Sequence, residues 1–174
     1  MKIRVILILF LLFFLPLPSY AISIRGTPYN STFHIGLTDG PGVGINFGID
    51  GMVNFDSLML GLEIEQLVTN QELEADINIL RYGGFMKYKI TEEITAGLHV
   101  GFASFSVSKD TLYKDAFTGK YYLVEGGRGS SASYVGASAD FDIFGFTLTP
   151  KVLINYLKIG GGIYEVDLNL GKKF

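Results

Sequence analysis

Residues 164–174 read YEVDLNLGKKF, and the reading of this stretch decides the fold. Tyr164, Val166, Leu168 and Leu170 share one parity; Glu165, Asp167 and Asn169 share the other. In a β-strand successive side chains point to opposite faces, so a period of two yields one apolar and one polar side. The stretch predicts a strand of that kind, and the chain stops on Phe174.

Seven segments upstream repeat the pattern. Thr32 to Thr38 sets Phe33, Ile35 and Leu37 against His34 and Gly36, and Asp39–Gly42 marks a turn. Val43 to Ile49 alternates with Gly44, Asn46 and Gly48, and Asp50–Gly51 is a two-residue hairpin signal. The third segment, Met52 to Glu65, places Leu58, Leu60, Leu62 and Ile64 opposite Met59, Gly61, Glu63 and Glu65, and Leu67–Ala75 reads as an acidic loop. Asp76 to Ile90 changes phase between Ile79 and Leu80, for which a β-bulge near Ile79 is the expectation. Thr91–Glu93 is a short turn before Ile94 to Val107, and Ser108–Ser130 is the longest connection. Ser131 to Phe141 and Phe146 to Leu157 follow, joined by Asp142–Gly145, and Lys158–Gly162 leads into the final strand.

The first 21 residues stand apart. Lys2 and Arg4 precede an apolar run from Val5 to Leu15, and Ser19-Tyr20-Ala21 places small residues where a signal peptidase reads. The run is too short to cross a bilayer as a helix, so residues 1–21 are expected to be a secretory signal peptide and 22–174 the folded domain. Loss of Lys2 and Arg4 takes 14 basic residues to 12, against 17 acidic ones, a net charge of −5. An acidic chain without a basic block argues against nucleic acid as a partner. With no cysteine, a disulfide-stapled secreted scaffold is excluded.

Eight amphipathic strands close into a barrel in one of two senses. A soluble barrel turns its apolar face inward; a membrane barrel turns it to lipid and fills the lumen with small and polar side chains. Here the faces opposite the apolar ones are Gly, Ser, Thr, Asn and charge, which suits the narrow interior of eight strands. The even-numbered connections are all short, as periplasmic turns are, and the two longest are the third and fifth. Closure also satisfies every backbone group, as lipid demands. The expected fold is therefore all-β, an eight-stranded antiparallel up-and-down transmembrane β-barrel in the outer membrane of a Gram-negative-type bacterium.

In this pattern the chain resembles the small eight-stranded outer-membrane proteins of the OmpA transmembrane domain and OmpX type, over Ser31 to Phe174. The most specific element is the closing strand. Tyr164, Val166, Leu168, Leu170 and Phe174 match what, in that group, is the signal read by the barrel-assembly machinery during biogenesis. Lys172 departs from it, since the group places an apolar or aromatic residue there; a lysine near the interface can snorkel. The resemblance implies a monomer surrounded by outer-membrane lipid.

The inferred lumen residues are Glu63, Glu65, Asp140, Glu165 and Asp167 against Arg81, Lys87, Lys89 and Lys151. Opposite charges in a narrow interior are expected to pair and plug it. The alternative, a narrow ion or small-solute pore, has against it that eight strands leave no open channel. His34 and His99 are the two histidines, both inward. A lipid-modifying outer-membrane enzyme would use a histidine with serine and an acid, but no local motif supplies them, so no catalytic residue, cofactor or metal site is assigned. In Ser108–Ser130, two Tyr-rich segments flank Asp115–Gly119 and suggest a projecting hairpin. Its Tyr113, Phe117, Tyr121 and Tyr122 are the candidates for binding an extracellular protein partner, an adhesion-type role.

Overall fold

The computed structural model describes residues 22–24, 27–40, 43–70, 76–115, 117–127, 129–158 and 161–174; the expected signal peptide lies outside them. Eleven strands follow in order: β1 (Ile22–Ile24), β2 (Thr27–Asp39), β3 (Gly44–Phe55), β4 (Leu58–Asn70), β5 (Asp76–Lys89), β6 (Ile94–Val107), β7 (Thr111–Lys114), β8 (Tyr121–Val124), β9 (Gly129–Ile143), β10 (Phe146–Leu157) and β11 (Gly162–Lys173). β2 to β6 and β9 to β11 pair antiparallel in sequence order, and β11 returns to β2, closing an eight-stranded barrel. The closing register runs from Val166↔Asp39 to Lys173↔Thr32, and Ser31 exchanges two backbone hydrogen bonds with Phe174 at 2.8 and 3.2 Å. β7 and β8 form a separate hairpin within the β6–β9 connection.

The apolar parity faces out. Leu60, Leu62 and Ile64 on β4, Leu98, Val100 and Phe102 on β6, and Val166 and Leu168 on β11 are all exposed on the outer wall. A continuous apolar outer surface is what a hydrocarbon environment requires, and closure leaves no strand edge within it. Lys172, the departure in the closing strand, lies on this outer face with its ammonium about 6 Å from the rings of Phe146 and Phe174. A cation over two aromatic faces at the rim is a favourable placement for a residue out of pattern.

Three expectations are corrected by the register. Asp50–Gly51 is not a turn: β3 continues through it, and Asp56-Ser57, with Asp56 at φ 52°, reverses the chain between Phe55 and Leu58. Asp50 faces the lumen, and Gly51 passes beneath the phenol of Tyr29, where a side chain would collide. Glycine serves close approach here, not reversal. Similarly, β5 has no bulge. It pairs without a skipped residue from Asn70↔Asp76 to Leu58↔Tyr88 on one side and from Ile77↔Val107 to Lys89↔Thr95 on the other. Ile77 and Ile79 point inward because the lumen itself turns apolar at that end. Finally, β4 runs to Asn70, so the Leu67–Ala75 loop starts later, with residues 71–75 outside those described.

The lumen therefore has two chemistries along its axis. Toward the hairpin end, Leu67, Ile77, Ile79, Phe105, Val107, Leu153, Leu157 and Ile163 form one buried apolar cluster. Toward the end carrying the short turns, the interior is polar and charged.

Candidate functional site

The charged part of the lumen is organised on Arg81. Cross-strand pairing sets it opposite Glu65, and its guanidinium donates to the Glu65 carboxylate, to Glu165, and to Asp167 at 3.2 Å. The last two belong to β11 on the far side of the cylinder, so one side chain bridges the lumen. Lys151 adds Nζ contacts of 2.9 and 2.8 Å to the two oxygens of Glu65 and lies 4.0 Å from Asp167. Neutral donors take the remaining lone pairs: Asn155 to Glu165 at 2.9 Å, and Thr38 to Asp167 at 2.6 Å. Buried ions supported in this way hold one another in place, because no member can leave without stranding a charge.

A second group involves Glu63. Its carboxylate accepts from the Tyr134 hydroxyl at 2.8 Å and lies 2.9 Å from His99 Nδ1; His99 Nε2 is 2.8 Å from Ser138 Oγ. An acid, a histidine and a serine are thus in line, contributed by β4, β6 and β9, a juxtaposition that sequence reasoning missed because register alone creates it. The three side chains form a hydrogen-bonded tie across three strands. Lys87 pairs with Asp140 at 2.8 Å, and Thr149 donates to the same carboxylate at 2.9 Å.

Not every expected lumen ion belongs there. Lys89 has the inward parity but sits at the turn-end rim, partly exposed, and pairs with Glu92 of the following turn. Glu165 takes Arg81 and Asn155 as partners. Asp50 and the two histidines join the buried set: His34 lies 3.2 Å from Glu65 and 3.7 Å from Asp50. Asp50 was overlooked because Asp-Gly is a turn signal.

The hairpin forms the other candidate site. Leu112 pairs with Leu123 and Lys114 with Tyr121, so these four share a face, and it is exposed. Tyr122 and Val124 lie on the half-buried face, where Val124 packs on the apolar lumen cluster. Of the four expected binding residues, then, Tyr121 alone is placed on the open face. Tyr122 is on the other, and the side chain of Tyr113 lies outside the described residues. Phe117 folds back onto the barrel, stacking on Tyr156 with centroids 6.1 Å apart and meeting Tyr164 at 5.0 Å, above Gly162. Leu112 and Leu123 were not anticipated, since the aromatic residues drew the reading.

Asp115 pins the tip. Its carboxylate accepts from Gly162 N–H of β11 at 2.9 Å, from the N–H groups of Phe117 and Thr118 at 3.1 Å, and from the Thr118 hydroxyl. The Gly162 N–H, followed by the Thr118 hydroxyl and the two local N–H groups, holds this carboxyl down to about 2. A depressed value means that the latch contributes fully above the ordinary carboxyl range and weakens only as pH falls toward 2. Asp115→Ala is expected to speed amide exchange at Gly162 and expose the hairpin to protease at neutral pH, with the barrel's exchange unchanged. Equal protection in both proteins would remove the latch.

No protein-family model matches this chain, and no curated protein does. Solved structures do. The N-terminal β-barrel domain of Pseudomonas aeruginosa OprF aligns with a TM-score of 0.53 at 10% identity, covering 84% of this chain and 97% of that one. Ail, the attachment invasion locus protein of Yersinia pestis, solved with the heparin analogue sucrose octasulfate, aligns at 0.56 and 14%, covering 84% and 99%. Neisserial surface protein A gives 0.51 and 12%, covering 83% and 94%. At these identities the likeness is one of fold: the small eight-stranded transmembrane barrel of outer membranes, spanned almost end to end.

Proposed function

We propose that this chain is an integral outer-membrane protein with a plugged lumen, whose β7–β8 hairpin docks an extracellular protein partner. In this reading residues 1–21 direct export, the short turns face the periplasm, and the hairpin lies outside the cell. Tyr164, Val166, Leu168, Leu170 and Phe174 then serve as the assembly signal, and the barrel is a monomer in lipid. The plug is supported by the Arg81-centred ions stacked beneath an apolar cluster, two barriers of opposite character in series.

The carrying observation for docking is the open face of the hairpin: Leu112, Tyr121 and Leu123 are 65, 68 and 54% exposed, on a segment fastened by Asp115 and Val124. An apolar face that is already ordered loses less entropy on binding than a free loop does. A polyanion of the heparin type, such as the analogue bound by Ail, is less suited, since the four basic residues of Ser108–Ser130 (Lys109, Lys114, Lys120 and Arg128) are offset by Asp110, Asp115 and Glu125 to a net charge of only +1. Cells displaying the barrel are expected to adhere to cultured epithelial cells, and the triple substitution Leu112→Ser, Tyr121→Ser, Leu123→Ser to lose that adhesion at least tenfold with heat-modifiable mobility intact. Adhesion that survives refutes the hairpin as the site. In planar bilayers the wild-type barrel is expected to stay silent; a reproducible open level refutes the plug.

A further inference from the structure

The outer wall is not evenly covered by side chains. On β3 and β4 its residues meet in three cross-strand pairs, Ile49↔Ile64, Gly51↔Leu62 and Val53↔Leu60. Gly51, the middle one on β3, has no side chain, whereas Leu62 opposite it stands 72% exposed. The result is an open groove of about 560 Å³ that follows the strands. From Val53 to Ile49 it runs along β3 for about 13 Å, taking the ordinary rise of a strand. β3 ends soon after Val53, at Phe55, so one end of the groove lies near the turn-end rim.

Tyr29 of β2 forms its flank. Pairing with Val53 sets this residue on the outer wall, and its phenol leans over Gly51 so that the hydroxyl reaches the groove. Among the described residues this hydroxyl makes no hydrogen bond. The other outward side chains of the lining are aliphatic, while Asp50 and Gly61, of the inward parity, complete the floor. Water is a poor occupant, since apolar hollows stay dry. An empty groove would forfeit the dispersion contacts of its walls. It is continuous with the lipid-facing wall, so hydrocarbon enters it without passing any barrier.

We propose that the groove holds one acyl chain of a membrane phospholipid, with an ester carbonyl of that lipid accepting from the Tyr29 hydroxyl. The lining suits an extended chain: it is apolar along the strand direction from the Val53–Leu60 pair to the Ile49–Ile64 pair. Such a lipid has its polar demand where the chain joins glycerol, and the groove offers one donor, toward the rim. Tyrosine combines the two needs, an apolar ring along the chain and a polar tip that must find a partner. Gly51 then has a role beyond clearance for Tyr29, because its missing side chain is the space in which the acyl chain lies.

The test is native mass spectrometry of the whole barrel in detergent, titrated with diacyl phosphatidylcholine or with its dialkyl ether analogue, which has the same chains and no ester carbonyl. Wild type is expected to take up one diacyl lipid ahead of any others. It should bind the ether analogue about 3–10-fold more weakly, the worth of one neutral hydrogen bond. Tyr29→Phe keeps the shape and is expected to bind both lipids alike, at the weaker level. Gly51→Leu fills the groove and is expected to lose the first lipid, whereas Val135→Leu, on the outer wall of β9, keeps it. Heat-modifiable mobility reports that each variant is folded; should Gly51→Leu fail to fold, the ether comparison with Tyr29→Phe decides. Equal lipid uptake by wild type and folded Gly51→Leu overturns the site, and equal affinity of wild type for the two lipids overturns the ester contact. A wild-type dimer that Gly51→Leu dissociates also overturns the proposal, by giving the groove to a second copy of the chain.

Discussion

Arg81→Met is expected to destabilise the barrel more than any other single change to its charged residues. The guanidinium reaches Glu65 on its own side of the lumen and Glu165 and Asp167 on the other, and all four side chains are buried. Removing it leaves three carboxylates together with Lys151 as their nearest permanent cation. Breaking a buried pair in this way costs about 3–5 kcal/mol, because the surviving charge is neither solvated nor paired. Urea unfolding in lipid vesicles should show the loss as a lowered midpoint at unchanged slope. A companion variant, Arg81→Met with Glu165→Gln, should recover part of it, since it also removes an orphaned charge. Equal midpoints for wild type and Arg81→Met would show that the lumen is hydrated enough to solvate these carboxylates.

Gly83→Val is the second large effect. Gly83 and Gly101 face each other across β5 and β6, and together they leave the gap through which Tyr134 reaches Glu63. A side chain at position 83 would meet the Tyr134 hydroxyl, the Val100 carbonyl and, at 2.9 Å, the Gly101 Cα. Two of these are backbone atoms that cannot rotate away. Overpacking alone costs about 1–3 kcal/mol, and displacing Tyr134 removes a buried hydrogen bond to a carboxylate worth about 1.5–3 more. The expected outcome is loss of the compact, heat-modifiable form under conditions where Gly84→Val retains it, since a side chain at Gly84 has only looser neighbours, from 3.4 Å. Similar behaviour of the two valine variants would show that β5 and β6 can part locally.

Much of this molecule was legible before any coordinates. Parity in Tyr164 to Leu170 settled which residues face out, and the same parity in β6 and β10 put His99 and Lys151 inside. The misreadings share a cause. Asp50–Gly51 has the chemistry of a turn, and Ile77 and Ile79 have the chemistry of an outer face, when each is judged by its local segment. Partners on other strands gave them their roles: Tyr29 over Gly51, and Phe105, Leu153 and Ile163 around the two isoleucines.

The sequence by itself determined the closed barrel, its strand count and its lipid-facing side, because all three follow from a two-residue period and from where that period is interrupted. Tertiary structure alone decided which charge meets which. Arg81 finds Glu165 84 positions away and Glu63 meets Tyr134 71 positions away. It also decided that the hairpin turns Leu112 and Leu123 outward while Phe117 returns to the wall. Such meetings depend on shear and register around the cylinder, which local alternation does not encode.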